Sequence, residues 1–86
     1  MNAQNTMITV NEVETIEKRM RRRLVKCIKE EAGRDWERLW REQKADYRKI
    51  MSFTPASTAE QSLLSRLVNV HENIREGVTA LTGKSH

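Results

Sequence analysis

Leu64, Leu67, His71, Ile74, Val78 and Leu81 follow one another at steps of three and four. This spacing makes a seam of heptad type, and a helix that carries such a seam must bury one side. Leu63, Val68 and Val70 widen the apolar face. The seam predicts a helix over about 58–82, about 36 Å long at 1.5 Å per residue. Gly83 is placed to cap its end in the left-handed conformation. Gly77 sits inside the helix, where glycine weakens it, and implies a close backbone approach.

Two further segments share the helical period. Val13, Ile16, Met20, Leu24, Cys27 and Ile28 make one stripe, which predicts a helix over about 10–32. Thr9 and Glu12 have the spacing of a capping box, with Asn11 as an alternative cap. Glu12, Glu14 and Glu17 crowd the end where the helix dipole favours anions. Gly33 either ends this helix, with Asp35 capping the next, or lies within one continuous helix, and the break is favoured. Trp36, Leu39, Trp40, Tyr47, Ile50 and Met51 share a face of the segment 35–52, with Gln43 and charges between. Residues 52–57 form a boundary around Pro55, after which Ser57 and Glu60 repeat the capping box; Thr54 with Pro55 is a rival start. One proline and three glycines are too few for a many-stranded β domain.

The expected fold is therefore all-α, a single helical domain over 1–86, with 1–8 as lead-in and 84–86 as tail. Two or three amphipathic helices would form an antiparallel bundle, since the proline turn is short. A chain of 86 residues buries little surface by itself. The long seam is therefore assigned to neighbouring copies, as a dimer or tetramer joined through Leu64, Leu67, His71, Ile74, Val78 and Leu81.

Chemistry is sparse. Cys27 is the only cysteine and His71 and His86 are the only histidines, so neither a disulfide nor a zinc ligand set is on offer. No metal or cofactor is expected. Nothing matches a phosphate loop, a nucleophile elbow or a metalloprotease helix. Cys27 reads as a small buried hydrophobe and His71 as a hydrogen-bonded seam residue. The expected protein binds rather than catalyses. No apolar run approaches a membrane span and the N-terminal segment has no signal-peptide pattern, which points to a soluble, cytoplasmic chain.

Charge is the remaining signal. Net charge is +4, but between Lys18 and Lys49 thirteen bases face six acids. Seven of these bases lie within 18–29, where there is no acid. Three roles compete for this face: a solvated surface, phosphate contact, and the acidic surface of a partner protein. A compact helix-turn-helix, a zinc finger and a platform of aromatics interleaved with bases are all missing, which puts nucleic acid second. Trp36 and Trp40 share a helix face flanked by arginines, as core residues or as interface anchors. The expected contact set is Arg22, Arg23, Trp36, Arg38, Trp40 and Arg41.

In size and layout the chain resembles the small antirepressors of temperate bacteriophages. The resemblance is carried by residues 19–42, RMRRRLVKCIKEEAGRDWERLWRE, and by the seam of the third helix. It implies a protein that binds a phage repressor inside the bacterial host and releases it from operator DNA. The alternative is a basic helical protein that binds nucleic acid directly through its first helix.

Overall fold

The computed structural model describes residues 8–29 and 35–83. Three helices follow one another: α1 (Val10–Ile28), α2 (Trp36–Met51) and α3 (Thr58–Thr82). Among the described residues there is no strand. Gly33, most of the lead-in and the tail lie outside the described residues.

The helix ends follow the local chemistry. Thr9 caps α1 as a complete box: its hydroxyl accepts from the Glu12 N–H at 3.2 Å, and the Glu12 carboxylate accepts from the Thr9 N–H at 3.0 Å. These bonds to Thr9, the backbone one first, hold the Glu12 carboxyl below the usual glutamate value. Asp35 is the N-cap of α2, but its side chain makes no capping bond; its carboxylate accepts from Arg38 at 3.3 Å instead. Ser57 caps α3 through the Glu60 N–H at 3.2 Å, while the Glu60 carboxylate accepts from the Ala56 N–H at 2.8 Å, one residue outside the usual box. Residues 53–56 stay outside the helix, so the Thr54–Pro55 start is not used. Gly83 ends α3 at φ 68° and donates to the Thr79 carbonyl at 2.8 Å, the left-handed cap the sequence predicts.

One core joins the three helices. Val13, Ile16, Met20 and Cys27 come from α1, Leu39, Trp40 and Ile50 from α2, and Leu63, Leu67, Val70, Ile74 and Val78 from α3, with Phe53 from the turn. Partners of α1 fall in reverse order along α2, as Arg19 with Asp46 and Arg23 with Gln43. They fall in the same order along α3, as Glu17 with Arg66 and Cys27 with Gly77.

This arrangement corrects the expected destination of the seam. Leu67, Ile74 and Val78 are wholly enclosed and His71 is buried, all within a single chain; Leu64 and Leu81 pack half-buried at the edge. The seam faces α1 and α2, because α3 serves as the central wall of its own protomer. Self-association through it would require the bundle to open. Ile28 and Met51, expected on apolar faces, are exposed, at 71% and 55%.

Gly77 has the close contact its position implies. A Cβ added there would stand 2.8 Å from the Cys27 Cβ. Since alanine retains a Cβ, replacing Cys27 by alanine makes no room. Gly77→Ala is therefore expected to lower stability by about 1–3 kcal/mol despite alanine's better helix propensity. A chemical denaturation midpoint measures this, and an unchanged or higher midpoint would show that the helices separate freely.

Candidate functional site

Arg19, Arg22, Arg23 and Lys26 stand at i, i+3, i+4 and i+7 on α1, beside the stripe that packs into the core. The N-cap Asp35 with Arg38, Leu39 and Glu42 of α2 has the same spacing. The two rows line a cleft of about 220 Å³ between the helices. Five cations and two carboxylates surround it, with the buried Leu39 as an apolar element.

Arg23 turns inward and is only 9% exposed. Its Nη2 lies 2.8 Å from Asp46 Oδ2 and 3.8 Å from Glu42 Oε1, and its Nη1 donates to Gln43 Oε1 at 2.8 Å. Asp46 also accepts from Arg19, through Nη2 at 3.0 Å and Nε at 3.3 Å. Burial pushes the Asp46 carboxyl up, but the bonds from Arg19 and Arg23 outweigh it and hold the group below its ordinary value. Arg38 pairs directly with Asp35 at 3.3 Å, with both side chains exposed. Arg22 and Lys26 are exposed and make no ion pair among the described residues, so they supply the uncompensated positive charge of the cleft.

The polar network continues behind Arg23. Gln43 is fully buried, and its Nε2 lies 3.0 Å from His71 Nδ1. This chain of bonds has one consistent orientation. Arginine can only donate, so the Gln43 oxygen must face Arg23; the amide nitrogen can only donate, so His71 Nδ1 must accept. His71 is therefore neutral, with its proton on Nε2. Burial, the largest effect, lowers its affinity for a further proton; neighbouring Glu72 opposes this and Arg75 adds to it. The imidazole stacks on Tyr47, with centroids 3.8 Å apart and planes within 8°, and lies 5.4 Å from the Trp40 ring.

The expected contact set is thus divided. Arg22, Arg23 and Arg38 meet at the α1–α2 cleft. Trp40 is buried and borders a second cavity, between α2 and α3. Trp36 packs half-buried against the core, and Arg41 is exposed away from the cleft lining. Arg23 is a correction to the expected surface role: its guanidinium is engaged inside the bundle. The expected contact set left out Arg19 and Lys26, which belong to the acid-free basic run, and also Gln43 and Asp46. The usable signal for the last two was position, since both fall on the stripe of Leu39, Trp40 and Ile50, where a polar residue must find an internal partner.

No group of three metal-ligating side chains occurs among the described residues, and no helix there is long and apolar enough to cross a membrane. No protein-family model matches the chain, and comparisons with characterised proteins and with solved structures find no match either.

Proposed function

We propose that this chain is a non-enzymatic protein-binding regulator of the antirepressor type, an antiparallel three-helix bundle that takes an acidic segment of its partner into the α1–α2 cleft. One observation carries this: the convergence of Arg19, Arg22, Arg23, Lys26 and Arg38 on a cavity that also holds Leu39, Asp35 and Glu42. The mixed lining favours protein over phosphate backbone. A phosphate track gains nothing from Leu39 and has no donor to offer Asp35 and Glu42. A peptide offers carboxylates to the guanidinium forks, a side chain to the leucine, and N–H groups to Asp35 and Glu42. Arg23 is held inward by Asp46 and Gln43 and forms a rigid inner wall of the cleft, while the exposed Arg22 and Lys26 carry its unpaired charge.

Regulation would follow from occupancy. A bound regulator shifts its partner toward whichever state it binds more tightly, and a repressor held in a state unfit for its operator is released from DNA. Self-association through the α3 seam has no part in this, because that seam is enclosed in the protomer.

The test uses fluorescence anisotropy with two probes, a labelled peptide of alternating glutamate and leucine, and a random DNA duplex. Arg22 and Lys26 are exposed, so Arg22→Glu with Lys26→Glu is expected to keep the fold. The pair of reversals is expected to weaken the peptide by about tenfold or more, equivalent to about 1.4 kcal/mol. Duplex binding that falls steeply with salt, with no binding of the peptide, would replace this function by direct nucleic-acid binding.

A further inference from the structure

The second cavity lies on the other side of α2. Trp40, Lys44, Tyr47 and Arg48 of α2 and His71, Glu72 and Arg75 of α3 line an open surface hollow of about 350 Å³. Its composition is unlike that of the cleft. Three rings and three cations meet a single carboxylate, and that carboxylate already accepts from Arg75 at 3.1 Å. Lys44 Nζ stands 5.8 Å from the Trp40 ring centroid, so the ammonium lies beside the aromatic surface.

The buried network adds a second, independent observation. Gln43 occupies the Nδ1 of His71, which leaves Nε2–H as the ring's one remaining polar group, a donor. The cavity therefore offers donors from His71, Lys44, Arg48 and Arg75, and it calls for a ligand rich in acceptors and negative charge. The rings narrow the choice. Trp40 and His71 are buried, and Tyr47 covers His71 with one face while remaining half-exposed. A planar group laid on Tyr47 would extend an existing stack. A simple carboxylate makes no use of that surface, whereas a heteroaromatic base joined to a phosphate uses the ring and the cations together.

We infer that the α2–α3 cavity binds a nucleotide unit, with its base against Tyr47 and its phosphate held by Lys44, Arg48 and Arg75. This site is on a different face from the proposed protein-binding cleft and uses none of the cleft's residues, so either can fail without the other. The unit can come from a free mononucleotide or from a single strand; the shared chemistry is the base and its phosphate.

The test is an NMR titration of the full chain with AMP, with inorganic phosphate and with oligothymidylate. AMP is expected to shift the ring resonances of Tyr47 and His71 saturably and to bind more tightly than phosphate. Arg48→Glu and Tyr47→Leu are each expected to weaken AMP about tenfold, with phosphate affinity kept in Tyr47→Leu. Oligothymidylate binding tighter than AMP assigns the site to a strand, and the reverse assigns it to a free nucleotide. Equal affinity for AMP and phosphate, no ring shifts, or undiminished AMP binding by Tyr47→Leu overturns the inference. Should Tyr47→Leu not fold, the exposed Arg48→Glu decides, and undiminished AMP binding there overturns it equally.

Discussion

Leu67→Asp abolishes folding rather than merely dissociating an assembly. Leu67 is wholly enclosed by its own chain, and an aspartate there loses both its hydration and the leucine's packing. Burying an unpaired carboxylate and losing a core leucine together exceed about 5 kcal/mol. A chain of 86 residues has only about 4–13 kcal/mol of stability in all. Far-UV circular dichroism should show loss of helix, and thermal melting should show no cooperative transition. Leu67→Met, nearly equal in volume, should keep the transition with a small loss. A Leu67→Asp chain with native helix content, sedimenting as a folded monomer, would return the seam to the surface and contradict the packing described above.

Gln43→Glu reverses the direction in which pH affects stability around neutrality. In the native chain His71 takes up a proton less readily than the value of 6.5 it has in an unfolded chain. The groups around it are Gln43, Lys44, Tyr47 and Arg48 of α2, Glu72 and Arg75 of α3, and Arg23 of α1 through Gln43. Below the unfolded value the unfolded state binds more protons, so the His71 contribution is complete above about pH 6.5 and is lost as pH falls toward the folded value. Protonation at Nδ1 would set two donors against each other. A glutamate at 43 still accepts from Arg23 and turns a carboxylate oxygen to Nδ1, where it favours the imidazolium. The folded value then lies above the unfolded one, and the contribution is present at acid pH and lost as pH rises through the folded value. Denaturation midpoints between about pH 5 and pH 7.5 should climb with pH for the native chain and decline for the variant. Parallel slopes would mean that Gln43 does not govern His71. Further acid removes the contribution of Asp46, whose carboxyl is depressed by Arg19 and Arg23, below about pH 4.

Local chemistry was the legible part of the fold. The Thr9–Glu12 box, the Ser57 cap, the left-handed Gly83 and the tight contact at Gly77 all depend on a few neighbouring residues or on one missing Cβ, and the sequence displays both. The destination of the α3 face was not legible. A heptad seam states only that something covers one side of a helix; whether another copy or α1 and α2 do so depends on how the turns aim the chain. The same holds for the basic run. Arg22 and Arg23 are adjacent and chemically identical, yet their directions differ by about 100° around α1. That turn leaves Arg22 exposed and sets Arg23 against Asp46 and Gln43. Tyr47 and Arg75 are far apart in the chain, so an aromatic and basic cavity built from both α2 and α3 leaves no pattern in either helix alone.

The contact between Gly77 and Cys27 makes the thiol a clock. With α3 this near, the thiol is buried against the facing helix, and burial raises its pKa and so suppresses the thiolate that an alkylating reagent needs. Parting of α1 from α3 is expected to raise the reactivity of the sulfur. Its rate of modification under native conditions therefore counts those partings, and places the α1–α3 seam on the scale of local opening against which any ligand that tightens the bundle can be read.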